Sequence, residues 1–170
     1  MNWSDVAALR MLIVCDANRF HSPLAESLMR REWSGCTISV GSAGISANDG
    51  APANDEALAV ARQHGLKGID DHRTRLLTRQ LMRDADLILT MDEQQQHAVR
   101  RIMPTYTGRV LLLGGWRGVS IGDPMVTSLR SREWTFGLLR VCVADWKQRM
   151  TVRPHSAATA GNVRRSNRVH

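Results

Sequence analysis

The 170-residue chain predicts an α/β domain, a three-layer α/β/α arrangement around a four-stranded parallel sheet. Three observations lead there. Four short apolar runs, 11–14, 37–40, 87–90 and 110–113, have the length of strands covered on both faces. Longer segments with apolar residues at helical spacing alternate with them. The chain is 43% apolar, enough at this length to cover a core without disulfides or metals.

The first run, Met11 to Val14, ends at Cys15 ahead of a turn-like stretch and then Ser22-Pro23. Ser22 suits an N-cap and Pro23 a first helical position, after which Leu24, Ala25, Leu28 and Met29 recur at helical spacing. The second run leads into Gly41-Ser42-Ala43-Gly44, and a helix is expected from about Asn54 to His64, closed by Gly65. A helix over Asp92 to Ile102 separates the third and fourth runs. After Asp123-Pro124, the stretch from Ser128 to Arg149 predicts a last long helix. We assign residues 1–150 to the domain and 151–170 to a disordered tail, because the latter is poor in apolar residues.

Composition excludes several function classes. The formal charge is +7, yet Arg153, Arg164, Arg165 and Arg168 lie in a tail without acids, and the other basic residues are interspersed with acids and lack interleaved aromatics. Nucleic acid is therefore a poor fit as a partner. No window approaches eighteen consecutive apolar residues, and the first ten residues do not form a leader, so the expected location is cytoplasmic, without membrane insertion. Cys15, Cys36 and Cys142 are odd in number and irregularly spaced, which gives neither a disulfide framework nor a zinc pattern.

In parallel α/β sheets, ligands bind beyond the carboxyl ends of the strands, where Cys15, Ser42 and Met91 would emerge. A cysteine between a strand and a helix N-terminus meets unpaired N–H groups and the positive end of the helix dipole, which favour a thiolate and a bound anion alike. Cys15 is thus a candidate nucleophile with a lowered pKa. On local pattern alone, a buried structural cysteine remains the alternative.

The stretch Val14-Cys15-Asp16-Ala17-Asn18-Arg19-Phe20-His21-Ser22-Pro23 resembles the loop V-C-x-G-N-x-C-R-S-P of the low-molecular-weight protein tyrosine phosphatases. The resemblance continues through Ala25-Glu26, Ser42-Ala43-Gly44, Asp71-His72-Arg73, Met91-Asp92 and Asp123-Pro124, from Met11 to about Met150. It implies a flavodoxin-like (Rossmann-like) phosphatase fold. It further implies that Cys15 attacks phosphorus to form a cysteinyl-phosphate, that Asp123 serves as general acid and then base, and that no cofactor or metal takes part. Residues Asp16, Ala17, Asn18, Arg19, Phe20, His21 and Ser22 would surround the phosphate, with Ser42 and His72 behind them. The implied partner is a phosphotyrosine protein. The segment Leu111 to Trp116 is similar to the bacterial branch tied to exopolysaccharide export, which points to a tyrosine kinase of that system.

The loop also departs from the family. His21 stands where the family has the arginine that gives two parallel N–H groups to phosphate oxygens, Asp16 replaces an apolar residue, Ala17 a glycine and Phe20 a second cysteine. Losing one such clamp costs about two to four powers of ten in rate. Asp16 would raise the thiol pKa and repel a dianion unless Arg19 offsets it. Two readings follow: a working but slow phosphatase, or an inactive relative that binds phosphoprotein or anions in a regulatory role. The arsenate reductase relatives of this fold need resolving cysteines around residues 75–95, where this chain has none.

Overall fold

The computed structural model describes residues 8–122 and 129–150. Asp123, Pro124 and the expected tail, 151–170, lie outside the described residues. Among the described residues, four strands, β1 (Leu9–Cys15), β2 (Ile38–Gly44), β3 (Leu87–Thr90) and β4 (Arg109–Leu112), form one parallel sheet in the order β2-β1-β3-β4. Five α-helices accompany it there: α1 (His21–Glu32), α2 (Asp55–Gln63), α3 (Arg79–Asp84), α4 (Glu93–Ile102) and α5 (Leu129–Arg149). The four predicted strands and the four predicted helices are present, β2 running further than expected, to Gly44. The short helix α3 is an addition to the expected elements, although Thr78 caps it by accepting from Leu81 N–H.

The three layers follow from the alternation of side chains along the strands. Leu9, Met11, Ile13 and Cys15 of β1, with Leu87 and Leu89 of β3, point to one face, where they meet Leu24, Leu28 and Met29 of α1, Ala57 and Val60 of α2, and Phe136, Leu139, Val143 and Trp146 of α5. Leu12, Val14 and Ile88 point to the other, against Met82 of α3 and Val99 of α4. A strand buried on both faces has no place for polar alternation, and this is why β1 reads as an unbroken apolar run. In α5 the buried residues 136, 139, 143 and 146 repeat every three or four positions, leaving Trp134 exposed on the opposite side.

The chain goes from β1 to its neighbour β2 on one side and later returns to its neighbour β3 on the other. The crevice at such a reversal of strand order lies at the carboxyl end of β1, and Cys15 is the last residue of that strand.

Candidate active site

Residues 16–20 link β1 directly to α1, so the loop turns back above the sheet within five residues. Asn18 makes the turn possible. It has φ 55°, the one described non-glycine residue in the left-handed region, where asparagine is tolerated because its short amide bonds locally. The side chain is fully buried and saturated: Nδ2 donates to Ser22 Oγ and to Ser42 Oγ, both at 2.9 Å, while Oδ1 accepts from the Arg75 N–H at 2.9 Å. Because a backbone N–H can only donate, Arg75 fixes which end of the amide is oxygen. His72 Nε2 lies 2.8 Å from the Asn18 carbonyl oxygen and holds the turn from outside.

This network sets the surroundings of the sulfur. Ser22 Oγ is 2.9 Å from Cys15 Sγ and accepts from Asn18, which leaves the hydroxyl proton free to point at a thiolate. Ser42, having accepted from Asn18, donates to Glu26. Ser22 therefore does not cap the helix as the sequence suggested. The helix begins one residue earlier, at His21, with Phe20 in the capping position and no side-chain cap, and the Ser22 hydroxyl is committed to the sulfur.

Gly44 carries the loop from below. A β-carbon there would stand 2.6 Å from the Asp16 carbonyl oxygen and 2.9 Å from the Asn18 nitrogen, so only glycine lets β2 pass this close. Ile45 N–H and Ser46 N–H bond the carbonyls of Cys15 and Asp16, both at 2.9 Å, and Asn54 N–H bonds that of Arg19 at 3.0 Å. The loop is thereby tied to both neighbouring segments.

A cavity of about 330 Å³ opens above Cys15, lined by Cys15, Asp16, Ala17, Arg19, Phe20, His21, Asn54, Glu56 and Gln95. His21 is buried, with its ring edge-on to Phe20 at 5.1 Å. Arg19 reaches sideways, Nε bonding the Pro52 carbonyl at 3.4 Å. Burial pushes the Cys15 thiol above its ordinary value; the Ser22 hydroxyl and the N–H groups of Ser22 and Asn18 pull it down, and Asp16 adds to the rise. The donors expected of an anion-stabilising loop are in place, but burial outweighs them.

The matching family model is "Low molecular weight phosphotyrosine protein phosphatase", over residues 10–150. The chain belongs to this family. A probable low molecular weight protein-tyrosine-phosphatase EpsP of Ralstonia nicotianae is 37% identical over 140 residues, covering 82% of this chain and 94% of the relative. The crystal structure of the Erwinia amylovora tyrosine phosphatase AmsI superposes with a TM-score of 0.79 at 31% identity, covering 86% of this chain and 96% of that one. Vibrio vulnificus Wzb, solved in complex with benzylphosphonate, gives a TM-score of 0.76 at 28% identity, covering 82% and 97%.

Within this phosphatase domain the structure gathers Cys15, Asp16, Ala17, Arg19, Phe20 and His21 around one cavity, with Asn18, Ser22, Ser42 and His72 bracing it from behind. Asp123 falls among the residues not described. Sequence reasoning missed Gln95, Glu56 and Asn54 on the cavity wall and Arg75 behind Asn18. Asn54 carried a usable signal as the N-cap of α2, where it accepts from Ala57 N–H. Gln95 carried none, because it lies in a run of three glutamines and only packing singles it out.

Proposed function

We propose that the protein hydrolyses phosphotyrosine on protein substrates at a reduced rate. The Cys15 sulfur forms a bond to phosphorus as the phosphorus–oxygen bond to the ring breaks, and Asp123 protonates the departing phenolate. Asp123 then takes a proton from water, which attacks the cysteinyl-phosphate and releases phosphate and the Cys15 thiolate. The observation that supports this most is the 2.9 Å approach of Ser22 Oγ to Cys15 Sγ with the hydroxyl proton available to the sulfur, since it stabilises the thiolate both before attack and as the leaving group in the second step.

The reduced rate rests on His21. A guanidinium gives a planar fork of two donors to phosphate oxygens, whereas a histidine ring gives one aimed N–H group and carries a charge only when protonated. As substrate we favour a tyrosine kinase of polysaccharide export, by resemblance to the bacterial branch of the family. A binding-only role has its own support in His21, in Asp16 and in the raised Cys15 thiol.

Turnover of p-nitrophenyl phosphate by the purified protein separates the two. Slow release of nitrophenolate that disappears in Cys15→Ser supports the enzyme. Absence of turnover, with Cys15 still protected from iodoacetamide by phosphate or vanadate, supports binding alone.

A further inference from the structure

A carboxylate next to the nucleophile of a phosphate-binding loop is an electrostatic conflict, and the structure contains a device that manages it. Asp16 follows Cys15 directly and lines the same cavity. Its Oδ2 accepts a hydrogen bond from Gln95 Nε2 at 2.8 Å. Gln95 is 5% exposed, and its Oε1 accepts from the Met91 N–H at 3.1 Å. That N–H can only donate, so the Gln95 amide is fixed with its NH2 group towards Asp16. The backbone of Gln95 is held too, its N–H bonding Asp92 Oδ1 at 2.8 Å in the N-cap of α4. The carboxylate is thus drawn towards the junction of β3 and α4, and part of its charge is met by an aimed N–H group.

We propose that Gln95 is a positioning residue for phosphate binding: its rigidly oriented amide holds the Asp16 carboxylate at the cavity wall, which lets a phosphate dianion enter a loop that otherwise carries an opposing charge. The inference rests on the reading of the Cys15 loop as the phosphate site. Gln95 stands on the cavity wall and acts through Asp16.

The substitution Gln95→Glu keeps an acceptor for the Met91 N–H and replaces the donor to Asp16 by a second carboxylate. Asp16→Asn in the same chain then supplies an NH2 group that can bond this new carboxylate, restoring the link with its polarity reversed. The measurement is the concentration of inorganic phosphate that half-protects Cys15 from iodoacetamide, followed residue by residue in the full chain. Cys36 serves as the internal control, being outside the cavity and partly accessible.

We expect Gln95→Glu to weaken protection by about tenfold or more, the scale of losing a hydrogen bond to a charged group beside a second charge. Asp16→Asn combined with Gln95→Glu should return to within about threefold of the natural protein, on the same scale. Gln95→Met, which removes the donor without adding a charge, should weaken protection as well; natural protection in Gln95→Met would assign the effect to charge alone and overturn the role of Gln95. Wild-type protection with an unchanged Gln95→Glu variant, or a double variant no better than the single one, overturns the role of Gln95 alone. Absence of phosphate protection in the natural protein overturns the phosphate-site reading, and this inference with it.

Discussion

Gly44 passes beneath Asn18 so closely that a β-carbon on it would lie 2.9 Å from the Asn18 nitrogen and 2.6 Å from the Asp16 carbonyl oxygen. Both atoms belong to backbone, and that backbone is tied down by Ser46 N–H on the Asp16 carbonyl, so neither side can yield cheaply. Gly44→Ala is therefore expected to lift the loop, costing about 2 kcal/mol of stability and at least about tenfold in aryl phosphate turnover. Chemical denaturation and steady-state assay check the two effects separately. An alanine variant with natural activity would show that the loop has slack the contacts do not suggest.

Asn18→Ala removes two donors and one acceptor at once and places alanine at φ 55°. The Arg75 N–H loses its acceptor. We expect a loss of about 3 kcal/mol in urea denaturation, the sum of one unsatisfied group, the lost bonds and the left-handed backbone cost. Asn18→Asp keeps the acceptor for Arg75 but gives up both donors, and should fall between the two. A loss below about 1 kcal/mol in the alanine variant would mean that water replaces the network.

His21→Arg should raise turnover of p-nitrophenyl phosphate by at least about tenfold, because the bracing of Asn18, Ser22, Ser42 and His72 is already in place and the substitution restores the forked donor. Activity that depends on an imidazolium declines as pH rises through the histidine range, while the arginine variant lacks that decline. Profiles measured from about pH 5 to 8 should diverge towards neutrality. Parallel profiles and no gain would leave binding as the better account of the loop.

Far from the site, Arg10 and Asp86 join the starts of β1 and β3. Arg10 Nε and an Nη donate to the two Asp86 oxygens at 3.2 and 3.0 Å, and the Arg10 N–H adds a bond of 2.9 Å. The Arg10 guanidinium holds the Asp86 carboxyl below its usual value. A lowered carboxylate contributes stability above its unfolded pKa, about 3.9, and loses it as pH falls through the lower folded value. Asp86→Asn should thus be less stable than the natural protein at about pH 7, with the gap closing below about pH 4 and shrinking in high salt, as thermal melts across pH can show. A gap independent of pH would assign the effect to packing.

Much of the layout was legible because it depends on short-range pattern. Strands covered on both faces read as apolar runs, and α1, α2, α4 and α5 were expected from helical spacing, segment length and the closing Gly65, whereas the caps Asn54 and Asp92 became visible only in the structure. Six residues with a single buried side chain, Met82, give too little period to reveal α3. The departures in the loop were equally plain, but their consequences were not. Ser22 looked like a cap until its distance to the sulfur was known, and a cysteine expected to be acidified by its loop turned out to be dominated by burial.

The parallel α/β fold and the position of Cys15 at the end of β1 could be read from contiguous chain, since periodicity and residue identity are local properties, and resemblance to the family loop marked His21 as standing in place of a forked donor. What surrounds the sulfur is a matter of packing. Gln95 reaches Asp16 across 79 positions, Arg75 meets Asn18 across 57, and Gly44 slides under the loop from a neighbouring strand. These contacts are products of sheet order and helix packing, which place distant segments within hydrogen-bond reach by a geometry that no local window of residues encodes.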